Sequence, residues 1–229
     1  MSTAGLTVLY TANLAGRLDM LPRLFAFIRR ARAAASGPTT LLDLGHSCDP
    51  AQPICAATEG RAALIVLDAM GYDAVCLDDA DCAMMSAAAV QKLLDAVSFA
   101  VCGSDTQRGL PGEGVWQAGA WRLVCHAGGA APSSTGDLVI RPLTAGTGAR
   151  LDVEAQTLWL ARPRGEAVLG IAEVQFDSER RPEAVTWRLE SMPADVRADA
   201  TVAATVAFVR DEARLYQKMQ QKGGANAAG

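Results

Sequence analysis

The chain has 229 residues, half of them apolar, and a formal net charge of −4 with an isoelectric point near 5.2. That length can bury a substantial core and suits a single domain, residues 1–221, followed by a short tail rich in small residues that is expected to be disordered, 222–229. The acidic balance gives no general attraction to polyphosphate, so nucleic acid and anionic membranes are not expected as partners, while a protein partner or a second copy of the chain stays open.

Along the first half, β-rich runs alternate with helical patterns: Leu6–Tyr10 as strand, Leu21–Ala35 as helix, Thr40–Leu44 as strand and Glu59–Met70 as helix. The rhythm continues with strand Ala74–Leu77, helix Ala87–Val97 and strand Phe99–Cys102. Short, wholly apolar strands separated by helices predict a sheet covered on both faces. After residue 110 the pattern changes to strands at Trp121–Cys125, Asp137–Ile140, Thr157–Ala161, Ala167–Phe176 and Ala184–Leu189, which reads as mainly antiparallel. The last two flank a polar turn, Asp177–Pro182, and predict a hairpin. Gly112–Gly119 and Gly128–Gly136 read as loops. A closing helix over Asp199–Gln221 places Val202, Val206, Phe208, Val209 and Leu215 largely on one side and ends at Gly223-Gly224. Trp121 and Trp187 sit within apolar strand patterns and are expected in the strand layer.

The opening MSTAGLTVLYTANL lacks a basic segment followed by a long apolar run, so a cytoplasmic location is expected. In that setting the six cysteines, Cys48, Cys55, Cys76, Cys82, Cys102 and Cys125, are expected as reduced thiols without disulfides.

Three segments carry a resemblance. TVLYTANLAGR (7–17) resembles a first strand ending in T-N-D-L-H-G, LLDLGHS (41–47) resembles L-L-D-x-G-D-S, and GYDAVCLDDAD (71–81) resembles G-Y-D-A-x-x-L-G-N-H-E. These are motifs of the metallophosphoesterase (calcineurin-like) superfamily, in its 5′-nucleotidase type, and the likeness covers about the first 105 residues. The resemblance implies an α/β fold: a four-layer α/β/β/α sandwich of two mixed sheets, trimmed, with a C-terminal helix. It also implies a site where two divalent cations, bridged by a carboxylate, activate water against phosphorus.

At the matching positions this chain has Asn13 for the first Asp, Ala15 for the first His and His46 for the bridging Asp, with Asp79 for the ligand Asn and Ala80 for the catalytic His. Alanine neither coordinates nor transfers a proton, and a histidine cannot bridge two cations as a carboxylate does. The resemblance therefore implies a degenerate phosphoesterase with no catalytic residues and no cofactor, retained as a binding or assembly module. The alternative is a phosphoester hydrolase with a remodelled single-metal site, in which His46, Asp79, Asp81 and Cys82 hold one divalent metal such as Zn or Mn.

Each residue also has a plainer reading. His46 is either a surviving ligand or a polar side chain satisfied by nearby backbone. Asp78, Asp79 and Asp81 are either a cation site or an Asx-type turn. Cys48, Cys55 and Cys82 are either part of a mixed zinc site or small buried hydrophobes. Cys125 and His126 are neighbours on one strand and point to opposite faces, which argues against a thiol–imidazole pair.

Overall fold

In the first half the helical runs return the chain to the same edge, so the strands they connect lie parallel. The computed structural model describes residues 4–128, 132–143, 145–165 and 167–227. Strands β1 (Ala4–Thr11), β2 (Thr39–Asp43), β3 (Ala74–Leu77) and β4 (Ala100–Gly103) pair in that order. Between them run α1 (Leu21–Ala34), α2 (Pro53–Thr58), α3 (Arg61–Ala69), α4 (Asp79–Met84) and α5 (Ala87–Ala96). The hairpin expected near residue 180 is present as β10 (Val168–Phe176) and β11 (Pro182–Ser191), and β10 joins β1 antiparallel. Its turn is held by the Asp177 carboxylate, which accepts from the backbone N–H groups of Glu179 and Arg181, each at 2.8 Å.

The second sheet has the order β5-β6-β7-β9-β8, built from β5 (Glu113–Ala118), β6 (Trp121–His126), β7 (Leu138–Leu143), β8 (Ala149–Asp152) and β9 (Thr157–Ala161). It departs from the sequence reading at several points, one being β8, which was not expected as a strand. Glu113–Ala118 is a strand, not a loop: Gly114 permits a close approach, since a Cβ there would lie 2.8 Å from the Cys125 sulfur. And β6, β7 and β9 run parallel, with β8 pairing antiparallel on the outer edge of β9.

Two apolar layers result. Leu9, Leu24, Ile28, Leu64 and Leu67 pack between the helices and the first sheet, while Val8, Tyr10, Leu42, Leu123, Ile140 and Leu158 pack between the two sheets. The final helix, α6 (Ala200–Ala227), lies against α1, α2 and α3. Among the described residues no helix lies between β5 and β11, so the trimming of the sandwich falls on the layer outside the second sheet.

Several side-chain expectations change. Trp121 is buried and stacks on Phe176 at 3.9 Å between centroids, but Trp187 is 43% exposed. It sits on the edge strand β11 and rests on Gly148, where a Cβ would come within 2.5 Å of the indole. In α6 the buried positions are Val202, Val206, Val209 and Ala213, the spacing of one helical face, whereas Phe208 and Leu215 are 65% and 60% exposed. The helix also continues through Gly223-Gly224 to Ala227, past its expected end, so most of the segment read as a disordered tail is helical; residues 228–229 lie outside the described residues. No helix is long and apolar enough to cross a membrane.

Candidate functional site

Because β1 to β4 are parallel, the loops at their carboxyl ends gather on one side, where open α/β sheets place binding groups. Asn13, Ala15 and His46 all take left-handed backbone there, with φ of 58°, 50° and 57°. The loops after β1 and β2 are joined by three backbone hydrogen bonds: Asn13 N–H to Gly45 O at 3.0 Å, Ala15 to His46 at 2.9 Å and Gly16 to Ser47 at 2.8 Å. Gly45 is required to be small, since a Cβ would stand 2.8 Å from the Cys76 carbonyl and 3.1 Å from Arg162 Nη2.

Two buried carboxylates support this floor. Asp43 accepts from Thr11 Oγ1 at 2.6 Å, Ser47 Oγ at 2.7 Å and the Gly45 N–H at 3.0 Å, yet burial pushes its pKa up to about 6. Asp81 accepts from the backbone N–H groups of His46, Cys48, Ser47 and Asp78 at 2.7, 3.1, 3.3 and 3.3 Å. Burial first, then the neighbouring Asp78 charge, raise its pKa to about 7 against those donors. Asp78 reciprocates by accepting from the Asp81 N–H at 2.9 Å, a capping box that starts α4.

Above the floor lies a cavity of about 430 Å³ bordered by Cys76, Asp78, Asp79, Ala80, Ser104 and Arg162. Arg162 Nη1 donates to Asp78 at 2.7 Å, Ser104 Oγ donates to Asp79 at 2.5 Å, and Asn13 Nδ2 donates to the Pro163 carbonyl at 2.8 Å. Asn13, Arg162 and Arg164 border a smaller adjoining hollow of about 170 Å³.

The structure thus brings Asn13, His46, Asp79 and Ala80 to the same edge of the sheet, with Asp79 and Ala80 on the larger cavity and Asn13 on the smaller hollow, but turns the candidate ligands to different tasks. Asp81 spends its carboxylate on backbone amides, and the Cys82 thiol is directed at the Leu77 carbonyl, 3.9 Å away. Cys48 and Cys55 are joined in a disulfide, contrary to the expectation of reduced thiols throughout. Cys55 lies in the first turn of α2 and Cys48 seven residues earlier in the loop before it, their Cα atoms 5.8 Å apart, and Gly16 makes room, since a Cβ there would clash with the Cys55 sulfur at 2.3 Å. His126 is buried away from the cleft with Nδ1 2.9 Å from Gly128 O, while Cys125 faces the inter-sheet core.

Sequence reasoning missed Arg162, whose only local signal is the Arg-Pro-Arg run that follows β9. It also missed a group of three thiols, Cys76, Cys102 and Cys125, whose sulfurs all lie within 4.8 Å of one another. Among the described residues this is the one such group of three or more metal-ligating side chains. The repeated Val-Cys near the ends of β3, β4 and β6 was the available clue.

The architecture is similar to that of the calcineurin-like phosphoesterase YfkN from Bacillus subtilis, with a TM-score of 0.63 and 10% identity over 94% of this chain and 99% of that one. It is also similar to a 5′-nucleotidase precursor from Thermus thermophilus, with a TM-score of 0.64 and 13% identity over 92% of this chain and 59% of that one. The NAD nucleotidase of Haemophilus influenzae gives a TM-score of 0.64 and 9% identity over 93% of this chain and 68% of that one. The chain has the metallophosphoesterase fold in its 5′-nucleotidase type, and it spans about three-fifths of the length of the Thermus protein. No family model and no curated protein matches it in sequence.

Proposed function

We propose that this chain is a metallophosphoesterase-like protein without phosphoesterase activity, retained as a binding or assembly module. The observation that carries this reading is the Arg162 guanidinium, fixed on Asp78 at 2.7 Å within the cleft. It supplies a permanent positive charge beside the carboxylate turn, where an active relative would need exchangeable cations, and a divalent ion would have to compete with it. Ala15 and Ala80 offer no donor atoms at two of the positions matched to the family motifs, and Asp81 is committed to four amides. A fold can persist after its chemistry is lost.

A protein partner or a second copy of the chain is favoured by α6, where exposed Phe208, Leu215 and Met219 recur at helical spacing on one face. The acidic net charge favours neither nucleic acid nor membrane. The Cys48–Cys55 disulfide supports an oxidising compartment over the cytoplasm expected from sequence.

The reading is tested by assaying purified protein with chromogenic phosphomonoester and phosphodiester substrates and added Mn²⁺, alongside elemental analysis. The expected result is no turnover above background and no stoichiometric Zn or Mn. One metal per chain with turnover, both lost in His46→Ala or Asp79→Ala, would instead establish the remodelled hydrolase.

A further inference from the structure

Three of the chain's four free cysteines converge between the two sheets. Cys76 and Cys102 are cross-strand partners on parallel β3 and β4, and their sulfurs are 3.2 Å apart. Cys125 comes from β6 of the opposite sheet, so the three sulfurs close a triangle across the sheet–sheet interface. All three residues are buried in the apolar layer between the sheets. Gly114 holds the β5 backbone close, for a Cβ there would meet the Cys125 sulfur at 2.8 Å and the Ala100 methyl at 3.1 Å.

We propose that Cys76, Cys102 and Cys125 bind one copper(I) ion in a three-sulfur site between the sheets. The donor set decides the ion. Hard cations such as Mg²⁺ and Ca²⁺ take oxygen ligands, and among the described residues no carboxylate joins this group. Structural zinc is almost always tetrahedral, and among the described residues no histidine, carboxylate or fourth thiol joins the three. Soft thiolates select copper(I), whose filled shell accepts three sulfur ligands without a fourth. Loading is an exchange: the ion enters as the coordinating thiols release protons, and nothing is oxidised or reduced. Cys76 stands where this apolar layer meets the cleft, since it also borders the cavity with Asp78, Asp79 and Ser104. The site is separate from the positions matched to the phosphoesterase motifs and does not depend on whether the cleft is catalytic.

The test is anaerobic titration of the full chain with copper(I) supplied as its acetonitrile complex. Ascorbate serves as reductant so that the Cys48–Cys55 bond is kept, and bicinchoninate is the competing chelator. The expected result is one copper(I) per chain, a sulfur-to-copper charge-transfer band in the ultraviolet, and X-ray absorption showing three sulfur neighbours. Cys102→Ser is expected to weaken binding by at least the roughly tenfold that loss of an outer-shell partner costs a metal site. Cys82→Ser, outside the group, is expected to bind as the parent does. The X-ray absorption spectrum of the parent decides the question even where a cluster variant fails to fold. Copper bound well below one per chain, copper held by nitrogen or oxygen, retention by a folded triple Ser variant, or preferential zinc binding at these thiols would each overturn the proposal.

Discussion

Arg162 and Asp78, 84 residues apart in sequence, meet at 2.7 Å and place a fixed positive charge in the cleft. Arg162→Met leaves a half-buried carboxylate uncompensated, and the expected loss is about 1–2 kcal/mol, moderated by solvent access to both partners. Added Mn²⁺ is expected to restore part of the lost melting temperature in the variant and to leave the parent unchanged. Equal responses of the two proteins to Mn²⁺ would show that the guanidinium does not occupy the cation's place.

The buried acids set a pH dependence. Both folded-state values, about 6 for Asp43 and about 7 for Asp81, lie above the ordinary 3.8. Folding therefore favours their protonated forms, and the associated stability is fully present below pH 3.8 and is lost as pH rises through 6 and 7. For Asp43 alone the shift corresponds to something on the order of 3 kcal/mol. Urea denaturation between pH 5 and 8 is expected to show a falling midpoint, and Asp43→Asn is expected to flatten that slope. A midpoint that rises over this range would refute the assignment.

The Cys48–Cys55 bond closes a short loop, for which chain-entropy reasoning gives about 2–3 kcal/mol. Thermal unfolding of the Cys48→Ser/Cys55→Ser double variant is expected to show that loss, and reductant is expected to lower the melting temperature of the parent but not of the variant.

Gly170 lies against the ring of Tyr10, and a Cβ would fall 2.2 Å from its nearest carbon. Gly170→Ala is expected to cost about 1–3 kcal/mol by overpacking, with partial recovery when Tyr10→Leu is added. Strictly additive effects in that cycle would mean the two positions do not press on each other.

What the sequence disclosed followed range of interaction. The strands of the first half were legible because each is an apolar run bounded by helices or turns, and the hairpin because Asp177 and its neighbours form a local polar turn. β5 was hidden because Gly114, which suits a sheet pressed close to Cys125, also looks like a loop residue. Phe208 and Leu215 were misplaced because apolar character alone does not say which side of a helix meets its neighbours. In the cleft, the degenerate motifs located Asn13, His46 and Asp79, but not the tasks of their neighbours. Asp81 looked like a ligand and serves as an acceptor for backbone amides, and Arg162 reaches the cleft from the far half of the chain. The three thiols come from two sheets, and no local spacing could unite them.

Asp81 ties the loop after β2 to the loop after β3, since one side chain serves the amides of His46, Ser47, Cys48 and Asp78. Those amides share an acceptor, so loss of the Asp81 carboxylate would leave all four without this partner at once. The wall of the cleft at the second and third strand ends is therefore held together through one side chain.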